Sequence, residues 1–195
     1  MKAFRKSAFT LIELLTVVAV IAILIGILIP VTGGVIRQSR IAASKAQLWQ
    51  YVNAIENFKA EYNYYPTIFG TTEGNYSLEA AADSINFIET LSGRDVATGD
   101  PKSVGGNYKS IQFHSFSDSE CFVNAAGVVQ QHRLADRFNN ILIRFRLDIN
   151  GDGFVNPSTF GDRDPQEPDN PLRTSVTAWV LEDPDGGLPG YALWE

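Results

Sequence analysis

From Asp148 to Asn156 the chain reads Asp-Ile-Asn-Gly-Asp-Gly-Phe-Val-Asn, with oxygen side chains at alternate positions and a glycine after the third. Ca2+ takes six to eight hard oxygen ligands, and a glycine at that place permits the sharp turn such a loop needs. Asp148, Asn150 and Asp152 would ligate through their side chains, Phe154 through its carbonyl, and Asn156 directly or through water. The second half of the pattern departs from an EF-hand-type loop. Thr159 stands where the bidentate glutamate belongs, which leaves Asp162 or Asp164 to close the shell. The competing reading is a plain strand connection, because Asn-Gly and Asp-Gly are themselves favoured hairpin turns.

A second carboxylate stands in an unusual place. Glu13 follows Ala8-Phe9-Thr10-Leu11-Ile12 and precedes 23 residues, Leu14 to Ile36, that carry no charge. Ionised side chains in hydrocarbon cost up to ~3 kcal/mol at a helix centre, so a chain that keeps one there has a use for it. As a helix the uncharged run is ~34 Å long at 1.5 Å per residue, enough for a bilayer core of ~30 Å. It is long for a secretory signal, and Pro30-Val31-Thr32-Gly33-Gly34 is a poor cleavage site for one. An ordinary anchor accounts for the length but not for Glu13. Lys2, Arg5 and Lys6 precede the run and Arg37, Arg40 and Lys45 follow it, so basic residues do not fix its orientation.

Other constellations are weaker. His114, Cys121 and His132 fit no structural zinc spacing, and nothing orients them as a nucleophile pair. No catalytic arrangement emerges, so the chain does not read as an enzyme. One cysteine cannot make an internal disulfide. The net charge is −6; without Lys2, Arg5 and Lys6 it becomes −9, from 13 basic and 22 acidic residues. That balance argues against a nucleic-acid partner, which needs clustered cations.

These residues need elements to hold them. Leu48, Val52, Ile55, Phe58 and Tyr62 recur at spacings of three and four, one apolar stripe of a helix that Tyr64-Tyr65-Pro66 stops. Pro30 should bend that helix. A second helix is expected from about Ser77 to Leu91, carrying Leu78, Ala81, Ile85 and Ile88, with Gly93 as its stop. The period then changes to two, predicting strands around Ile111–Phe113, Val128–Val129, Ile141–Leu147, Thr174–Leu181 and Tyr191–Trp194. Tyr62, Tyr64, Tyr65, Trp49, Trp179 and Trp194 are assigned to helix–sheet packing. The expected fold is α+β: a long bent N-terminal helix, apolar in its first half and amphipathic in its second, packed on a small antiparallel sheet. Its divisions are 1–8 leader, 9–36 apolar helix half, 37–62 amphipathic half and 63–195 globular head.

The basic leader, the Ala8-Phe9 junction, Glu13 and the apolar run together resemble the prepilin segment of type IV pilins and type II secretion pseudopilins. Tyr-Pro-Thr at 65–67 after the helix is most similar to the major pseudopilin. The close likeness covers roughly residues 1 to 65; Ala8 departs from it, since the family usually has Gly there. The resemblance implies cleavage between Ala8 and Phe9 by a prepilin peptidase, N-methylation of Phe9, and Glu13 as the assembly glutamate. It implies a single-pass protein of the bacterial inner membrane, its head outside the cytoplasm or in an extracellular filament. The partners implied are the peptidase, membrane lipid, other pilin-like subunits and the inner-membrane secretion platform. It also implies calcium held in the C-terminal region. A type IV pilus subunit for adhesion or motility and a membrane-anchored binding module are the alternative functions.

Overall fold

The computed structural model describes residues 10–155, 168, 170–183 and 185–194, the side chains of 27–33 excepted. Helix α1 runs from Leu11 to Tyr62. The chain divides into two compact units, Met1–Ser39 and Arg40–Glu195. In the first, the apolar side chains stand exposed all round the helix, with Leu11 at 87%, Ile12 at 68% and Leu15 at 71%. Among the described residues no helix is long and apolar enough to cross a membrane. The expected bend at Pro30 falls where side chains lie outside the description.

In the second unit the predicted stripe becomes the core. Leu48, Val52, Ile55 and Phe58 are fully buried, joined by Tyr51 and Ala54. They pack with Ile143, Phe145 and Leu147 of β4 (Ile143–Leu147) and Val176, Ala178 and Val180 of β5 (Val176–Val180). Burying a large apolar side chain contributes about 1.5–3 kcal/mol, so this stripe is what holds the helix to the sheet. The sheet is antiparallel, in the order β1, β4, β5, β6, with β1 at Tyr76–Ser77 and β6 at Tyr191–Ala192. A separate hairpin pairs β2 (Cys121–Val123) with β3 (Val129–Leu134). The architecture is the expected α+β one.

Several boundaries differ from expectation for local reasons. Helix α2 spans Ala81–Ser92, not Ser77–Leu91, because Tyr76 and Ser77 are drawn into the sheet opposite Phe145 and Arg144. Its buried face is Ser84, Phe87, Ile88 and Leu91 rather than Ala81 and Ile85. Gly93 ends it in the left-handed conformation (φ 65°), where a Cβ would lie 2.5 Å from the Ser110 backbone. Ile111–Phe113 form no strand. The amides of Phe113 and His114 both donate to the Leu91 carbonyl, so this segment closes the C-terminal end of α2.

Alternation along β4 predicts a single buried face, whereas both faces are covered. Arg146 is 2% exposed, its guanidinium bonded to the Asn75 side-chain oxygen at 3.0 Å. The loop ahead of β1 covers that face. Further along it a second small core of Val155, Trp179, Leu181 and Ala192 takes in Trp194, whose ring lies 5.7 Å from that of Trp179. The C-terminal strand is fixed without a disulfide: the buried Tyr191 hydroxyl donates to the Asp136 carboxylate.

Candidate functional site

Strand β4 ends at Leu147, and the Asp148 amide still donates to the Ser175 carbonyl, so Asp148 starts its loop from a fixed point. Its buried carboxylate organises the turn from Asn150 to Gly153. Oδ1 accepts the amides of Gly151 (2.8 Å) and Asp152 (3.1 Å), and Oδ2 accepts that of Gly153 (2.8 Å). Such convergence needs a tight reversal, and Gly151 and Gly153 supply it at φ 78° and 85°, where side chains are strained. Asn150 Oδ1 accepts the Asp152 amide and Asp152 Oδ1 that of Phe154. A Val155–Leu172 bridge closes the loop. Asn156, Thr159, Asp162 and Asp164 lie outside the described residues.

A residue that no local motif could supply arrives from the segment ahead of the neighbouring strand β1. Glu73, Asp148 and Asp152 each present a carboxylate oxygen within 4.8 Å of the others, and no other His, Cys, Asp or Glu trio among the described residues does so. Glu73 Oε1 is buried and has no hydrogen-bond partner, while Oε2 lies 3.8 Å from Arg146. Three carboxylates against one guanidinium leave a local charge of −2, which a divalent cation would balance. All three are hard oxygen donors of the kind Ca2+ takes. The loop also walls one side of a cleft of about 590 Å³, lined by Lys59, Tyr64, Tyr65 and Thr67 from the end of α1 and beyond. Asn150 and Phe154 lie in the same loop, but the Asn150 oxygen is engaged by the Asp152 amide.

Glu13 occupies a different chemical setting. Its Oε2 accepts the Thr10 amide at 2.8 Å and the Thr10 hydroxyl at 2.7 Å, and the Thr10 hydroxyl oxygen in turn accepts the Glu13 amide. Together these form a reciprocal cap on the first turn of α1. Oε1 takes no hydrogen bond among the described residues. Ala8 and Phe9 lie outside them.

His114, Cys121 and His132 do not converge. His114 Nε2 lies 3.0 Å from buried Glu120, which also accepts the hydroxyls of Tyr51 and Ser117. Burial alone would raise the Glu120 carboxyl, but these partners outweigh it and hold the group at about 2. Cys121 is buried, and burial followed by Asp118 and Glu120 pushes its thiol up to about 11, which leaves it unreactive. His132 is exposed on β3.

Residues 4–29 match the prokaryotic N-terminal methylation motif, the signature of the prepilin-type segment of type IV pilins and pseudopilins. No curated protein and no solved structure matches the chain. The motif marks pilin-like subunits that a prepilin peptidase processes and that assemble with others of their kind, a structural rather than an enzymatic family.

Proposed function

We propose that this pilin-like chain is a subunit of a type II secretion pseudopilus, cut between Ala8 and Phe9, methylated on Phe9 and assembled through α1 for protein export. The observation that carries the reading is the methylation motif at 4–29 overlapping the first part of α1, where the described apolar side chains from Leu11 to Ile25 stand exposed. Contiguous exposed apolar surface of this extent calls for lipid or for other copies of the chain. The precursor is anchored once in the inner membrane with its head in the periplasm, and the secretion platform feeds it into the filament.

Glu13 serves both stages. Oε2 caps its own helix, and Oε1 takes no hydrogen bond among the described residues. Cleavage creates a free ammonium on Phe9, and Glu13 of one copy neutralises that group on the next. Calcium binds through Asp148, Asp152 and Glu73, with Asn150, the Phe154 carbonyl and Asn156 as further donors. The orphaned Glu73 oxygen supports this, and calcium in the C-terminal region favours the pseudopilus over the pilus. Electron microscopy with a secretion assay tests the assignment. Loss of export on deletion, without long surface fibres in the parent strain, is expected; long fibres with export unaffected would make the chain a pilus subunit.

A further inference from the structure

The second unit carries exposed charges that form no ion pair among the described residues. Arg40 is exposed and forms no ion pair among the described residues; its guanidinium lies only over the Phe138 ring at 6.0 Å. Glu182 and Asp185, in the turn between β5 and β6, are exposed and likewise form no ion pair among those residues.

These groups stand at one end of the unit. The Ser175 hydroxyl bonds Glu56, so β5 starts beside the later part of α1 and runs back along it. Val180 pairs with Tyr191, whose hydroxyl bonds Asp136, and the neighbouring Arg137 amide bonds the Ser44 hydroxyl. Val180 is therefore near the height of Ser44. The hairpin continues to an Asp183–Leu188 bridge, three residues or ~10 Å further. From Ser44 back to Arg40 is four helical residues, ~6 Å. The turn and Arg40 thus share a height to within about one helical turn.

We propose that the acidic turn Glu182–Asp185 of one copy docks against Arg40 of a neighbouring copy, forming a lateral contact between heads. This rests on the filament reading above. Copies standing side by side with parallel helices bring the two groups level, and the net charge of −9 left after Lys2, Arg5 and Lys6 are removed otherwise makes processed chains repel. The contact joins two different patches, a heterologous arrangement that propagates along a filament instead of closing a dimer.

Full-length protein assembled in membranes tests this by charge reversal. Arg40→Glu should lower filament yield severalfold, Glu182→Arg with Asp185→Arg should do the same, and combining all three should restore it. Arg40→Cys with Asp185→Cys should give a ladder of cross-linked multimers on a non-reducing gel, since Cys121 is buried. Normal assembly of the reversed variants with no ladder would overturn the contact. Loss in Arg40→Glu that the reversed turn fails to rescue would also overturn it, and would assign Arg40 to anionic lipid headgroups. Absence of filaments from the unaltered chain would instead remove the subunit reading on which the contact stands.

Discussion

Asp152→Asn separates a calcium loop from a plain strand connection. Asp152 is exposed and its Oδ1 accepts the Phe154 amide, a bond that asparagine can keep. What changes is charge, together with one exposed bond that Oδ2 accepts from the Asn150 side-chain amide at 3.0 Å. Two carboxylates 4.8 Å apart repel by about 1 kcal/mol at the dielectric of water and about 3.5 kcal/mol at an effective value of 20, and Asp152 faces both Glu73 and Asp148. In chelator the variant should therefore melt at or above the parent. Calcium at a hundredfold excess over Kd should stabilise the parent by ~2.7 kcal/mol. At ~2–4 °C per kcal/mol for a chain of this size, that is about 5–10 °C. The variant should lose most of that increment. Glu73→Gln should lose it too, but should melt lower in chelator, because buried Arg146 loses the carboxylate 3.8 Å from its guanidinium. The assay is differential scanning fluorimetry of the full-length protein in detergent, with calcium or EGTA. Equal melting temperatures of the parent in both would refute the calcium reasoning. A calcium increment retained in full by Asp152→Asn would refute this ligand set.

Three further outcomes are expected. Glu120 is held at about 2, below its unfolded value near 4.5, so it contributes stability above pH 4.5 that disappears as pH falls towards 2. Its loss amounts to about 3 kcal/mol, and Glu120→Gln should flatten an acid-denaturation curve between pH 5 and 2. Tyr191→Phe removes the donor to Asp136 and leaves a buried carboxylate short of a partner, at a cost of about 1–3 kcal/mol readable by urea titration. Glu13→Ala should give a cleaved, membrane-inserted protein with a normally folded head that forms no filaments; the lost cap costs only ~1 kcal/mol at the helix start. Filaments of normal yield from that variant, seen by electron microscopy, would reduce Glu13 to a capping residue.

How far the sequence could be read followed the range of the interactions. The stripe Leu48–Phe58 repeats every helical turn, so helix and buried face could be read together. Asp148, Asn150 and Asp152 lie within one loop, so their grouping was visible as well. Glu73 was not, because it stands 75 positions before Asp148, and only the pairing of Tyr76 with Phe145 brings it close. Strand β1 has two residues, too few for any period to register. Ile111–Phe113 alternate like a strand, yet Ser110 at φ 50° turns the chain, the Asn107 side chain takes the Ile111 amide and Leu91 takes those of Phe113 and His114. Arg146 looked like a solvent-facing position because its cover, Glu73 and Asn75, comes from another segment.

The central claim concerns processing, and intact-mass and N-terminal peptide mass spectrometry of membrane-bound protein, produced beside a prepilin peptidase, tests it most directly. The account predicts a chain that begins at Phe9 with a methylated amine, Met1 to Ala8 having been removed. Membrane protein that keeps Met1 to Ala8 in the presence of an active peptidase would contradict it.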